Sequence, residues 1–327
     1  MKSNFSMIVL VMLAFTTGAQ AAQRSAPEGA DPNYPSKPIR LIVPQAPGGS
    51  NDIFARYIGY QLGERLGRQV VVDNRPGAEG AIGTEMVARA TPDGYTLLMA
   101  SSAFTMNPAV HNLPYDPVKD FDWVAMLGAG AVVVTVGPAL PVNSLPDLLA
   151  LGRSKPGYLT AASAGGFTHF VTALFRSLSG IDMVIVLYKG GFPALIDVMG
   201  GQAHLGVPTL VTAFPHIRSG KLKALATGGA KRSPTVPDLP TIAEAGVPGY
   251  EASIWWAFAT RAGTPATVVN RLNAEVAAIL KLPETEKRFA AEGAVTDIRT
   301  PAEIRRMIPV DLAKWAKVAK DAGMGKD

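Results

Sequence analysis

The chain has 327 residues, of which 48% are hydrophobic and 17% are charged, and it contains no cysteine. This composition is typical of a globular protein and excludes a disordered or fibrous one, while the length predicts about two domains. The absence of cysteine excludes disulfides, thiol catalysis, thiolate metal sites and a lipid anchor on an N-terminal cysteine. The formal net charge is +5, but the Lys and Arg residues form no long run, so nucleic-acid binding is not expected.

The N-terminus has the pattern of a signal peptide. Lys2 precedes an apolar stretch over residues 7–19, and Ala19-Gln20-Ala21 has the small residues of a cleavage site. The apolar stretch is shorter than the roughly 20 residues that cross a bilayer. We therefore predict a signal peptide over residues 1–21, cleavage after Ala21 and a periplasmic protein; an uncleaved membrane anchor is the alternative. Residues 22–33 are polar, contain Pro and Gly, and are predicted to form a flexible leader.

Strand and helix patterns alternate from residue 39 onward. The predicted strands span 39–43, 70–72, 95–100, 159–163, 183–188, 204–207 and 222–227. The first predicted helix begins at Ser50 or Asn51. The other predicted helices span 81–90, 145–153, 168–178, 192–199, 265–280, 284–291 and 301–322. This alternation predicts the α/β class, with parallel sheets that carry helices on both faces.

Two further strand-like segments, 122–138 and 253–261, are predicted to cross between two lobes. The first lobe would then comprise residues 34–136 and 253–327, and the second lobe residues 137–252. Ligands of such proteins bind in the cleft between the lobes, at the carboxyl ends of parallel strands.

Four loops that follow predicted strands are rich in glycine or hydroxyl groups: 44–52, 100–107, 163–169 and 188–193. Glycines allow backbone N–H groups to point into a loop, and the start of the following helix favours an anion. A single loop of this kind is usually only a tight turn. Together the four loops predict a cradle of backbone donors that binds a carboxylate without a dedicated arginine.

The sequence lacks the phosphate-binding, dinucleotide-binding, hydrolase and zinc-protease motifs, so we predict no catalytic residue, no metal, no cofactor and no enzyme activity. His169 could line the pocket or could instead cap a helix, and Lys189 could contact an anion or be solvated. Trp255 and Trp256 would point to opposite faces of a strand, so that one could wall the cleft and the other would be core.

Several stretches closely resemble the substrate-binding proteins of tripartite tricarboxylate transporters, the Bug (Bordetella uptake gene) or TctC-like family. They include YPSKPIRLIVPQAPGGSND (34–52), VVVDNRPGAEGAIG (70–83), DGYTLLMASS (93–102) and KRSPTVPDLPTIAEAGVPGYEAS (231–253). The resemblance covers almost the whole chain after the predicted signal peptide. It implies a two-lobed periplasmic binding protein (Venus-flytrap) fold and capture of a small organic carboxylate, either a di- or tricarboxylate or an aromatic acid.

The resemblance also implies partners and site residues. A monomer would deliver the acid to a membrane transporter of one small and one large integral subunit; alternatively it would present the acid to a two-component histidine kinase, or be an enzyme on the same fold. Carried over by position, the ligand-binding residues are Gln45, Ala46, Gly49, Asn51, Asp52, Ser101, Ser102, Ser163, Ala164, Gly165 and Thr168. His169 and Tyr188 are added as candidates for their places in the third and fourth loops, and Pro208 for its place near the strand at 204–207. Ordered water would supply part of the grip on the carboxylate.

Two positions depart from the family pattern. Phe167 stands where small polar residues are frequent, and Pro208 stands about where relatives commonly carry an aspartate that could receive an amine or hydroxyl. The loss of this aspartate favours a less polar ligand, such as an aromatic acid, over an amino acid.

Overall fold

The computed structural model describes residues 33–321 and Met324. The predicted signal peptide and residues 22–32 of the predicted leader lie outside the described residues. The strands are β1 (Ile39–Val43), β2 (Val70–Asn74), β3 (Thr96–Ser101), β4 (Phe121–Ala131), β5 (Val133–Val136), β6 (Leu159–Ser163), β7 (Met183–Leu187), β8 (Leu205–Gly206), β9 (Lys223–Thr227), β10 (Ser253–Arg261) and β11 (Ala294–Thr296). The helices are α1 (Ser50–Leu66), α2 (Ala81–Ala88), α3 (Ala103–Met106), α4 (Leu145–Ser154), α5 (Gly166–Ser179), α6 (Gly191–Met199), α7 (Leu210–Arg218), α8 (Ala266–Leu280), α9 (Pro283–Ala291) and α10 (Pro301–Asp321).

The strands form two sheets, each the centre of one α/β lobe. The first sheet has the order β11-β4-β10-β3-β1-β2, and the second has the order β7-β6-β8-β5-β9. In the first sheet β1 is parallel to β2 and β3, whereas β10 runs antiparallel to β3 and β4. In the second sheet β6 is parallel to β7 and β8, and β5 is antiparallel to its neighbours. The predicted α/β class is therefore confirmed.

Helices cover both faces of the first sheet because its strands are apolar on both sides. On one face Phe54 of α1 packs with Phe289 of α9 and Trp256 of β10. On the opposite face Trp255 packs against Trp123, in the cluster that contains Ile304 and Ile308 of α10. Since the two tryptophans are consecutive in a strand, they point to opposite faces, as predicted.

The chain passes between the lobes where two connections lie side by side. Val132 alone separates β4 of the first sheet from β5 of the second, and Ala252 precedes β10 on the return. Gly228 joins them: its N–H donates to the Val132 carbonyl at 2.8 Å, and its carbonyl accepts from Ala252 N–H at 2.7 Å. A Cβ on Gly228 would lie 2.9 Å from the Ala252 carbonyl oxygen, so a side chain there would push the two connections apart.

The position of this crossing corrects one boundary. We expected all of residues 34–136 in the first lobe, but Val133–Val136 pairs with β8 and β9 of the second sheet. The run of four β-branched residues predicts a buried strand correctly, yet its pairing partners depend on segments about 70 and 90 residues later in the chain.

Local signals place most helix ends within two residues. Ser144 caps α4 through a capping box with Asp147. At α1 the expectation of a Ser50 or Asn51 cap is wrong, because Gly49 is the N-cap and makes no side-chain hydrogen bond. The short elements α3 and β11 were not predicted; at four and three residues they are too short for a periodic pattern. The bounds of the nine-residue helix α7 were not predicted either. None of the described helices is both long enough and apolar enough to cross a membrane.

Candidate functional site

A cavity of about 580 Å³ lies between the two lobes. Its wall is formed mainly by loops at the carboxyl ends of parallel strands, where the predicted cleft was expected. The predicted residues that line it are Gln45, Ala46, Gly49, Asn51, Ser101, Ala164, Gly165, Thr168, Tyr188 and Pro208. The other predicted residues, Asp52, Ser102, Ser163 and His169, are not among those that line it.

Asp52, in the first turn of α1, fixes the loop between β1 and α1 rather than lining the cavity. Its carboxylate accepts hydrogen bonds from Gly48 N–H at 3.0 Å, from Asn74 Nδ2 at 3.0 Å and from Arg56. Burial alone would raise the pKa of Asp52, but these hydrogen bonds and the charge of Arg56 lower it overall, so the group is ionised near neutral pH. The loop thereby presents the first turn of α1, whose initial N–H groups have no intrahelical acceptor.

A hydrogen-bond network orients the side chains at this end of the cavity. Trp256 Nε1–H donates to Asn51 Oδ1 at 3.0 Å. Since an indole can only donate, Asn51 must turn its Nδ2 the other way, where it donates to Ser101 Oγ at 3.2 Å and to Gln45 Oε1. This leaves the Ser101 hydroxyl proton and Gln45 Nε2, neither of which has an acceptor within residues 33–321. The buried network thus presents hydrogen-bond donors to the cavity.

The second lobe contributes the loop between β6 and α5. Gly165 and Gly166 have φ of +79° and +48°, a backbone region that favours glycine. Thr168 Oγ1 accepts from Ala164 N–H at 2.9 Å and donates to the Gly165 carbonyl at 3.0 Å. This brace holds the loop so that the N-terminus of α5 opens on the cavity, opposite the first turn of α1.

The remaining predicted residues that do not line the cavity are Ser102, Ser163 and His169. Ser102 Oγ accepts from Trp255 N–H at 3.0 Å, and Ser163 Oγ lies 3.3 Å from Thr168 Oγ1. His169 Nδ1 is buried without a hydrogen-bond partner among the described residues. Burial lowers the pKa of His169; the nearby Glu79 opposes this and Arg176 adds to it, so the ring is neutral near pH 7.

Tyr188 and Pro208 line the second lobe's side of the cavity. The Tyr188 hydroxyl donates to Asp197 Oδ2 at 2.7 Å, and this hydrogen bond, with burial, raises the pKa of Tyr188 to about 12. Because its hydroxyl is already engaged, Tyr188 offers its ring rather than a donor. Thr209 caps α7 behind Pro208 by accepting from Thr212 N–H.

Sequence reasoning missed Glu79, the one acidic residue among those that line the cavity within the described chain. Glu79 adopts φ +53°, and Asn107 Nδ2 donates to its carbonyl at 2.9 Å, while His111 Nε2 lies 3.1 Å from Glu79 Oε2. The run Gly77-Ala78-Glu79-Gly80 followed a strand as the four chosen loops do, so glycine spacing could have marked it. Also missed were the aliphatic residues Leu187, Leu195, Val198 and Ile254, which carry no polar signal.

The expectation that one tryptophan walls the cleft is wrong. Neither Trp255 nor Trp256 is among the lining residues; the neighbouring Ile254 is. Lys189 lines the rim and is exposed. In the part of the chain that the structure describes, no group of His, Asp and Glu is arranged to hold a metal ion.

Comparisons with known proteins agree with this architecture. The model of the tripartite tricarboxylate transporter family receptor (TctC) matches residues 54–324. The chain is 36% identical over 325 residues to Protein BugT of Bordetella pertussis, an alignment that covers 98% of each protein.

Two solved structures are similar over nearly all of the described chain. One is a protein of R. palustris with adipate, with 35% identity, a TM-score of 0.87 and coverage of 90% of this chain and 100% of that one. The other is the periplasmic binding protein BugD, with 32% identity, a TM-score of 0.85 and the same coverage. These similarities confirm the two-lobed fold of periplasmic binding proteins that the sequence predicted.

Proposed function

Because the chain belongs to the tripartite tricarboxylate transporter receptor family, we propose that it captures a small organic carboxylate in the periplasm and delivers it to a membrane transporter of this type. The similar structure with adipate supports a carboxylate ligand. On this proposal the chain is an exported receptor that releases its ligand chemically unchanged, and the signal peptide is cleaved after Ala21.

One observation supports a carboxylate as the ligand: the hydrogen-bond donors at one end of the cavity are oriented before any ligand binds. The hydroxyl of Ser101 and Nε2 of Gln45 are left without acceptors by the network around Asn51. An ionised carboxylate only accepts hydrogen bonds, so it matches the donors of Ser101 and Gln45. Donors that need no reorientation lose little entropy on binding, which raises the affinity.

Helix ends supply the positive potential that a cationic side chain would otherwise provide. The N-termini of α1 and α5 open on the cavity from opposite lobes. A helix N-terminus stabilises a nearby anion by about 0.3–1 kcal/mol, and by more where water is excluded. Because the two helices belong to different lobes, the anion is gripped from both sides only when the lobes are closed. Ligand binding would therefore be coupled to closure about the connections at Val132 and Ala252.

Ligand binding is tested by a thermal-shift screen of the purified protein against aliphatic mono-, di- and tricarboxylates, aromatic acids and acidic amino acids. A ligand present at about 100 times its Kd stabilises the folded state by about 2.7 kcal/mol. We expect at least one carboxylate to raise the melting temperature, and calorimetry to confirm a single site. A folded protein that responds to amines or neutral sugars but to no carboxylate would contradict the proposal.

Delivery is tested by uptake of that carboxylate, carrying a radioactive label, into cells that lack the gene. We expect uptake to be lost and to return with the wild-type gene. Unimpaired uptake in the deletion strain would assign the receptor to another pathway, such as sensing. The mass of the protein released from the periplasm tests the cleavage site, with Ala22 as the expected first residue.

A further inference from the structure

The cavity wall has two different ends. The donors of Gln45 and Ser101 lie at one end, next to α1. Most of the remaining wall is apolar and comes largely from the second lobe: Phe167, Leu187, Leu195, Val198, Pro208 and Ile254. We propose, building on the carboxylate receptor argued above, that the ligand carries one carboxylate only and that its body is apolar, as in a medium-chain or aromatic monocarboxylic acid.

The apolar wall disfavours a second carboxylate. Transfer of an ionised group into apolar surroundings is costly unless a partner charge or several hydrogen bonds compensate. Tyr188, the polar side chain beside this wall, already donates its hydroxyl to Asp197. At α7 the Thr212 hydroxyl donates to the Thr209 carbonyl at 3.0 Å. The hydroxyls of Tyr188 and Thr212 are therefore already engaged within the protein.

The charged residues that line the cavity also disfavour a second carboxylate on the ligand. Among the described residues that line the cavity, only Glu79 and Lys189 are charged. Lys189 is exposed at the rim, whereas Glu79 is held by His111 and Asn107. A methyl group on Gly165 would lie 3.7 Å from Glu79 Oε1, so this carboxylate reaches the loop of the second lobe. A second negative charge on the ligand would add to the repulsion from Glu79, by an amount that falls with its distance from that carboxylate.

The volume suits such a ligand. At about 580 Å³ the cavity is within the range of sites for drug-sized molecules and larger than a four-carbon acid requires. An apolar body that fills the remaining space gains from removal of its surface from water. A short, highly charged acid would leave that space unused.

The test compares acids that differ only in the second carboxylate: hexanoate with adipate, and benzoate with terephthalate, each measured by calorimetry near neutral pH. Within each pair of acids that binds, we expect the Kd of the monocarboxylate to be at least about tenfold lower than the Kd of the dicarboxylate. If dicarboxylates bind as tightly or more tightly, the inference is overturned while the proposed carboxylate receptor stands. If no carboxylate of any kind binds, the proposed function itself fails.

Two variants test the causes separately from folding. Glu79→Gln should improve the affinity for dicarboxylates more than the affinity for monocarboxylates, and so reduce the preference for monocarboxylates. The control Glu85→Gln, on the surface of α2, should change neither affinity. Leu195→Gln should weaken monocarboxylate binding, whereas Ile196→Gln, at an exposed position of the same helix, should not. A third variant, Lys189→Gln, tests whether the rim lysine holds a second carboxylate. If the wild type binds dicarboxylates tightly and this variant selectively loses that binding, the inference is wrong. The wild-type comparison decides the question even where a variant fails to fold.

Discussion

The indole N–H of Trp256 donates to Oδ1 of Asn51 at 3.0 Å, which ties the strand that returns from the second lobe to the first turn of α1. Trp256 is fully buried and does not line the cavity. It nevertheless decides which way the Asn51 amide points, and through Asn51 it leaves the Ser101 hydroxyl free to donate. A core residue therefore determines the hydrogen-bonding character of the ligand site.

Trp256→Phe tests this relationship. The phenyl ring keeps most of the packing against Phe54, but Asn51 Oδ1 loses its donor and the amide is free to turn. We expect carboxylate affinity to fall about tenfold, or about 1.4 kcal/mol, as measured by calorimetry. The free energy of unfolding in urea should fall by about 1–3 kcal/mol, because a buried acceptor is left unpaired.

Trp255→Phe is the matched control. Its indole donates to Asp311 Oδ2 at 3.0 Å on the opposite face of the sheet, away from the cavity. This variant should keep its affinity and lose no more stability than Trp256→Phe, because Asp311 Oδ2 still accepts from the Thr105 hydroxyl. Equal losses of affinity in both variants would show that general loosening of the fold, and not the orientation of Asn51, weakens binding.

Ser101 and Ser102 are neighbours with different predicted effects. Ser101→Ala removes a cavity donor and should lower affinity about three- to tenfold, corresponding to a net hydrogen bond of roughly 0.5–1.5 kcal/mol. Ser102→Ala removes the acceptor of Trp255 N–H and should lower stability, with affinity unchanged. Calorimetry and urea unfolding of both variants distinguish the roles, and the reverse pattern would contradict the assignment of Ser101 to the ligand.

The sequence alone predicts the strand-to-helix loops because glycines and hydroxyl residues after an apolar run are local signals. It does not predict which residues of these loops line the cavity and which hold the loops in place. Asn51 and Trp256 are 205 positions apart, so their hydrogen bond leaves no local pattern. Asp52 and Ser102 have the same polar character as residues of the wall, and only the fold shows that they do not line the cavity.

The same limit applies to the crossing between lobes. The apolar run around Val132 predicts a strand, but whether its second half pairs with the first or the second sheet depends on β8 and β9, which come much later in the chain. Glu79 was missed for a related reason. An isolated glutamate in a turn is usually solvated, and its place in the cavity arises from Asn107 and His111, which hold it there.

Thr168→Val tests the brace of the second lobe's loop. The substitution preserves the shape of the side chain but removes the acceptor of Ala164 N–H and the donor to the Gly165 carbonyl. The N-terminus of α5 should then lose its fixed position, and affinity should fall about tenfold. Thr172→Val, one turn later, removes a hydrogen bond from Oγ1 to the Thr168 carbonyl but does not alter the cavity wall. A Thr168 variant that binds as the wild type does would show that the brace is dispensable.

The stability of the protein should fall as the pH is lowered from about 7.5 to 5.5. Burial lowers the pKa of both His204 and His169 below the usual value near 6.5, so the unfolded chain binds protons that the folded chain rejects. In the folded state His204 Nδ1 accepts from Thr160 N–H at 3.1 Å, which requires the neutral ring. Aspartates such as Asp52, whose pKa is lowered, stay ionised throughout this range and contribute nothing to the slope.

His204→Asn isolates one of the two contributions. The asparagine oxygen can accept from Thr160 N–H in place of Nδ1, and the side chain does not titrate. Urea unfolding at a series of pH values should therefore give a shallower loss of stability for the variant than for the wild type between pH 7.5 and 5.5. Identical slopes would mean that His204 is protonated in the folded state as readily as in the unfolded chain, which the hydrogen bond from Thr160 opposes. His169→Gln should flatten the slope independently, since Nδ1 of His169 is buried without a partner among the described residues and the imidazolium form is disfavoured there.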